Sequence, residues 1–171
     1  MSWLSDIFSK LLSFMFIDRG RGVTTMAPVF TDRFNKLIQF VFEHEGRVYE
    51  EVVGDPGGCT KYGISHQAYP KLDIKNLTED QAKQIYWNDY WLPLKCDSYV
   101  TDKLALAVFD SAVNCGTGTV NKWLANGLPT SAESFLYKRI RRYADLCQKN
   151  KVLNQFLLGW IIRVLHIVER Y

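Results

Sequence analysis

Phe42 to Ser65 reads FEHEGRVYEEVVGDPGGCTKYGIS, and the fold turns on how this stretch is read. Ahead of it, Phe34, Leu37, Ile38, Val41 and Phe42 recur at the three- and four-residue steps of a buried helical stripe. Thr31 is placed to cap that helix and Asp32 to sit in its first turn. The helix then ends near Glu45-Gly46, with a carboxylate at its C-terminus. Residues 47–65 carry glycines and β-branched side chains without a helical period, which predicts a β-hairpin or an irregular lobe.

The rest of the chain reads as helices. Thr78-Glu79-Asp80-Gln81 is a capping box opening a helix that carries Ile85, Tyr86, Trp87, Tyr90 and Trp91 before Pro93 stops it. Lys103 to Asn114 is a strongly apolar helix ended by Gly116 and Gly118, and a short helix follows up to Gly127. Thr130-Ser131-Ala132-Glu133 is a second capping box, starting a helix to about Lys149, and a last helix covers Val152 to Val168. The fold class is mainly α, an α+β arrangement with one small β element beside Glu45.

The N-terminus stands apart. Trp3, Leu4, Ile7, Phe8, Leu11, Leu12 and Met15 recur at helical spacing over residues 1–18. The apolar run from Leu11 to Ile17 is far short of the ~20 residues of a membrane span, and no basic n-region suggests a signal peptide. An amphipathic helix that lies on a membrane, docks on an assembly or packs on its own domain fits the pattern. Residues 19–30 read as a linker and 31–171 as one domain.

Composition narrows the partners. Against 18 Asp and Glu stand 21 Lys and Arg, a net +3, too weak for nucleic acid but suited to work near anionic surfaces. Cys59, Cys96, Cys115 and Cys147 are scattered, without a CxxC pair or a clustered His, so neither a zinc site nor another metal or cofactor is expected. They read as buried free thiols, although two disulfides, in any of three pairings, are open to four cysteines.

Cleaving a glycosidic bond needs a carboxylic acid held protonated near neutral pH, a state that apolar burial favours. Glu45 follows Val41 and Phe42, and Gly46 leaves room for substrate. Asp55 and Thr60 are spaced to orient water or stabilise positive charge at the sugar carbon. Tyr62, Trp87, Tyr90 and Trp91 offer flat faces for sugars, Trp91 being the one expected at a groove, or they fill the core. Asp110 and Asn114 are one turn apart, placed to bond loops around a cleft. The plainer alternative is that Glu45 is solvated, that Glu43 competes for its role, and that Asp55-Pro56-Gly57-Gly58 is a turn.

These blocks resemble glycoside hydrolase family 108, the lysozyme-like N-acetylmuramidases. Glu45-Gly46, Asp55-Pro56-Gly57-Gly58 and Thr60 to Ser65 are similar to that family's EGG, DPGG and TKYGIS motifs. Tyr90-Trp91 with Val108 to Gly116 resembles its YW and FD-x-AVN-x-G pattern. Phe156 to Val164 resembles the F-x-x-GW-x-x-R of a C-terminal peptidoglycan-associated segment, here about residues 131–168. The resemblance implies a lysozyme-like fold and a peptidoglycan hydrolase with Glu45 as the acid. It also implies Asp55 and Thr60 as helpers, and substrate contacts that we assign to Tyr62, Trp91 and Asn114. It implies action on the bacterial cell wall by a phage lysin or a secretion-associated muramidase, or else a weakly active lysozyme-like component of a virion or secretion assembly. Arg47 departs from the motif, and it could pair with Glu45, face solvent or meet anionic peptide stems.

Overall fold

The computed structural model describes residues 29–51, 58–125 and 127–171. The expected helix over 1–18, most of the linker over 19–30 and Asp55 lie outside these residues. The chain divides into two compact units, one ending at Asp89 and the other running Tyr90–Tyr171. Among the described residues it is a mainly helical α+β fold, with six α-helices and one small sheet.

In the first unit, helix α1 spans Asp32–Glu45. The Phe34 N–H donates to Thr31 Oγ1 at 3.2 Å, satisfying an amide the helix leaves open. Phe34, Leu37, Ile38, Phe40, Val41 and Phe42 are buried, each such side chain contributing about 1.5–3 kcal/mol. Strands β1 (Glu50–Glu51), β2 (Cys59–Lys61) and β3 (Ile64–Ser65) form an antiparallel sheet in that order. Its register sets Glu50 opposite Thr60, Thr60 opposite Ser65 and Lys61 opposite Ile64. Helix α2, Glu79–Tyr86, opens on the expected capping box: the Gln81 N–H donates to Thr78 Oγ1 at 3.2 Å, and the Thr78 N–H to Gln81 Oε1 at 2.9 Å.

The helix expected to run to Pro93 changes geometry first. Its α form ends at Tyr86, and Trp87–Trp91 continue as a wider π turn. Tyr86, Tyr90 and Trp91 are all buried, so the wider turn serves to bring bulky rings inward from positions that a regular helix would splay. Trp87 packs edge-on to Phe34 with centroids 5.0 Å apart.

In the second unit, a 3₁₀ turn at Cys96–Ser98 precedes helices α3 (Asp102–Cys115), α4 (Thr117–Leu124), α5 (Ala132–Lys149) and α6 (Asn154–Arg170). Every side chain from Leu104 to Cys115 is buried, because α3 is the axis on which α4, α5 and α6 pack. Two expected boundaries shift. Gly116 alone ends α3, at φ 84°, while Gly118 lies inside α4. The N-cap of α5 is Ser131 and not Thr130, its Oγ accepting from the Ser134 N–H at 3.1 Å. That register gives α5 a buried face made of Ala132, Phe135, Leu136, Arg139 and Tyr143.

Residues 151–170 are long and apolar enough to cross a membrane by length and composition. Phe156, Trp160, Arg163, Val164 and Ile167 are nevertheless buried, the stripe of a core helix. All four cysteines are free thiols. Burial pushes the thiols of Cys96 and Cys115 up, which keeps them protonated and inert.

Candidate active site

Glu45 is the last residue of α1, half-buried, with an exposed Glu43 two residues before it. Gly46 closes the helix at φ 86°, a conformation L side chains rarely adopt, and its N–H donates to Phe42 O at 3.1 Å. A Cβ placed on Gly46 would meet nothing within 4 Å. The glycine therefore turns the chain, and the space where its side chain would stand is open.

The hairpin between β2 and β3 comes back onto Glu45. Its two-residue turn is Tyr62-Gly63, with φ 53° and 73°, the positive pair that matches the twist of antiparallel strands. A Cβ on Gly63 would lie 2.8 Å from Glu45 Cβ, 2.9 Å from Glu45 Cγ and 2.8 Å from Tyr86 Oη. Only a glycine lets the turn rest on the stem of Glu45. Tyr86 Oη donates to Tyr62 O at 2.8 Å, and the Tyr62 ring packs on Phe42 with centroids 5.1 Å apart. Gly63 and Tyr86 were not singled out from the sequence as site residues. The tyrosine-glycine pair between short strands was the readable signal for the turn, whereas Tyr86 read as one more helical aromatic.

Thr60 sits in the middle strand, half-buried, between Glu50 and Ser65. Tyr62 is half-buried and is the aromatic that the first unit keeps at the turn. Arg47 is held by Glu79, with Nη1 donating to Oε2 at 2.8 Å, and by Gln39, with Nη2 donating to Oε1 at 2.5 Å, while its guanidinium lies 5.2 Å from the Phe42 ring. Arg47, expected to pair with Glu45, face solvent or meet peptide stems, instead has Glu79 on α2 as its carboxylate partner. Hydrogen bonding from Lys83 first, with Arg47 assisting, holds the Glu79 carboxyl below its usual range. His44 is structural: Nδ1 bonds to Phe40 O at 2.9 Å and the ring stacks on Phe40.

In the second unit two expectations change. Trp91, expected at a groove, is fully buried, edge-on to Phe109, with Nε1 donating to Asp97 Oδ2 at 2.8 Å. It is core because the π turn carries it inward. Asp110 and Asn114 bond to helices and not to loops. Asp110 accepts from Arg139 Nη1 and from Arg163 Nη2, each at 2.6 Å, and Asn114 Oδ1 accepts from the Tyr143 hydroxyl. Arg163 is buried as well, because α6 lays that face on α3. Burial acts to raise the Asp110 carboxyl, but the two guanidiniums outweigh it and hold the group well below the usual carboxylate range. Among the described residues no three His, Cys, Asp or Glu side chains converge to hold a metal.

The glycosyl hydrolase 108 family model matches residues 38–116. That range opens inside α1 and ends at the Gly116 cap, so it contains Glu45, the hairpin and the Asp110 block, and it bears out the resemblance those motifs carried. The family matched is one of glycosyl hydrolases. The chain is also similar to the solved structure of Brucella abortus SagA, at 26% identity and a TM-score of 0.56, covering 80% of this chain and 92% of that one. No curated protein matches.

Proposed function

We propose, for a chain whose residues 38–116 match the glycosyl hydrolase 108 family, that it cleaves the β-1,4 bond between N-acetylmuramic acid and N-acetylglucosamine in peptidoglycan, with Glu45 as general acid. One observation carries the reading. Glu45 ends a buried helix just before an uncrowded Gly46, and its stem rests against the Tyr62-Gly63 turn. A carboxyl whose stem is fixed by its surroundings is suited to donate a proton to a glycosidic oxygen.

As the proton moves from Glu45 to that oxygen, the C–O bond breaks and positive charge develops at the sugar carbon. Thr60 on β2 and Asp55 ahead of it are the groups proposed to hold the water that completes hydrolysis. Tyr62, at the turn, is proposed to flank the sugar. Trp91, fully buried, is not proposed to contact the sugar, and Asn114 is proposed to act through the core it bonds. Arg47, engaged by Glu79 and Gln39, supplies no reason to favour the weakly active alternative.

The test is Glu45→Gln, which keeps shape but has no proton to give. Hydrolysis of purified cell wall is expected to fall by at least ~10²-fold with an unchanged circular dichroism spectrum. A glutamine variant keeping more than about a tenth of wild-type activity would reject Glu45 as the acid.

A further inference from the structure

Helix α6 carries apolar side chains on two faces. One stripe is buried where α6 packs on α3 and α5. On the outer face Leu158 is 71% exposed, and Ile162 and Leu165 are exposed at steps of four and three beyond it. Val152 and Val168 extend that exposed surface to both ends. Lys151, Gln155, Leu158, Ile162, Leu165 and Glu169, all exposed, follow one another at steps of four, three, four, three and four. That alternation is the seam along which two helices pack together, and at 1.5 Å per residue it runs for roughly 27 Å.

The charged members of this seam sit at its ends and have opposite signs. Lys151 lies just ahead of α6 and Glu169 in its last turn. Among the described residues neither has an ion-pair partner. Gln155 Nε2 donates to the Val152 carbonyl at 3.0 Å, so its amide is already turned back onto the start of the helix. From Leu158 to Leu165 every exposed position is apolar. The face therefore has an apolar middle and one unspent charge of each sign at its two ends.

We propose that this face of α6 docks on the same face of a second copy of the chain, antiparallel, about a twofold axis level with position 160. In that register Leu158 meets Ile162 of the second copy, Val152 meets Val168 and Lys151 meets Glu169, each pair occurring twice by symmetry. Leu165 then lies over the stem of Gln155. The surface is thus complementary to itself in both shape period and charge. A parallel pair would set Lys151 against Lys151 and Glu169 against Glu169. A lipid surface would accept the leucines but leaves the opposite end charges without a use. A seam of one helix buries less than the ~800 Å² per partner of a standard interface, so the pair should dissociate at roughly 1–100 μM. The inference goes beyond the proposed hydrolysis and does not depend on it.

Sedimentation equilibrium of the full chain, over about 1–200 μM, reads the association directly. A concentration-dependent equilibrium between monomer and dimer is expected. Leu158→Lys, at a largely exposed position, should weaken it by at least about tenfold with an unchanged circular dichroism spectrum. The end charges then distinguish the antiparallel register from non-specific apolar association. Lys151→Glu and Glu169→Lys should each weaken the dimer by about fivefold at low salt, whereas both changes in one chain should restore it to within about twofold. A chain that stays monomeric throughout overturns the proposal. Association untouched by Leu158→Lys does so too, because the contact then lies elsewhere, residues 1–18 included. Charge variants whose losses simply add would reject the antiparallel pairing. Monomeric protein that binds phosphatidylcholine vesicles, and loses them with Leu158→Lys, would make a lipid surface the occupant in place of a second copy.

Discussion

Tyr62 stands at φ 53°, where a residue with a Cβ costs about 1 kcal/mol or more. Such a conformation persists only where the surroundings hold it, and here the Tyr86 hydroxyl holds its carbonyl while Phe42 holds its ring. The strained residue, the glycine after it and the clamping tyrosine act together on the stem of Glu45. Gly63→Ala adds a methyl 2.8 Å from both Glu45 Cβ and Tyr86 Oη, at a φ of 73°. We expect it to lower stability by roughly 1–3 kcal/mol and wall hydrolysis by at least about tenfold. Melting temperature and initial rate check this, and a fully active alanine variant would show that the turn does not position the acid. Tyr86→Phe removes the hydroxyl that clamps the Tyr62 carbonyl. Stability should drop by about 1 kcal/mol and kcat should fall further than KM changes. At this scale the sequence was half legible. Glu45-Gly46 could be read because a helix end is local, whereas the contact of Gly63 with Glu45 depends on a chain reversal that spacing does not encode.

Helix boundaries are decided by caps, and the caps differ in how clearly they can be read. Thr78 and Gln81 satisfy each other's backbone amides, so that start was readable from four residues. Thr130-Ser131-Ala132-Glu133 offers two hydroxyl caps one residue apart, and the choice of Ser131 follows from which register buries Phe135 and Arg139. Packing, not capping, breaks the tie. Ser131→Ala is therefore expected to cost about 1 kcal/mol in chemical denaturation. Thr130→Ala, at an exposed position, should stay within about 0.5 kcal/mol. The reverse order would restore the boundary expected from sequence. The same dependence explains Trp91: its helical spacing was visible, but the switch to a π turn after Tyr86 that buries it was not.

Over the second unit as a whole, Asp110 is the node at which α3, α5 and α6 meet, and Arg139 also donates to the Tyr143 hydroxyl at 2.5 Å. The F-x-x-GW-x-x-R block and the FD-x-AVN block, read separately along the sequence, are joined through Arg163 and Asp110. Asp110→Asn leaves two buried guanidiniums without their carboxylate and should destabilise the protein by roughly 3–5 kcal/mol. The Asp110 carboxyl is depressed in the folded state, so its contribution is complete above the unfolded value of about 3.9 and is lost as pH falls below it. Acid titration of the unfolding free energy should show this loss in the wild type below about pH 4, and the asparagine variant should lack that component. A wild type as stable at pH 2 as at pH 6 would mean that the pair contributes little.

The partners of Asp110 lie 29 and 53 residues farther along the chain. While the protein is being synthesised, α3 thus emerges with its carboxylate before either arginine exists to meet it, flanked by Leu106, Val108 and Phe109 that have nothing yet to cover them. The native arrangement of this half is out of reach until Arg163 has left the ribosome. A message broken just ahead of the Arg163 codon would yield a nascent chain unable to close around that aspartate, a marked substrate for cellular proteolysis.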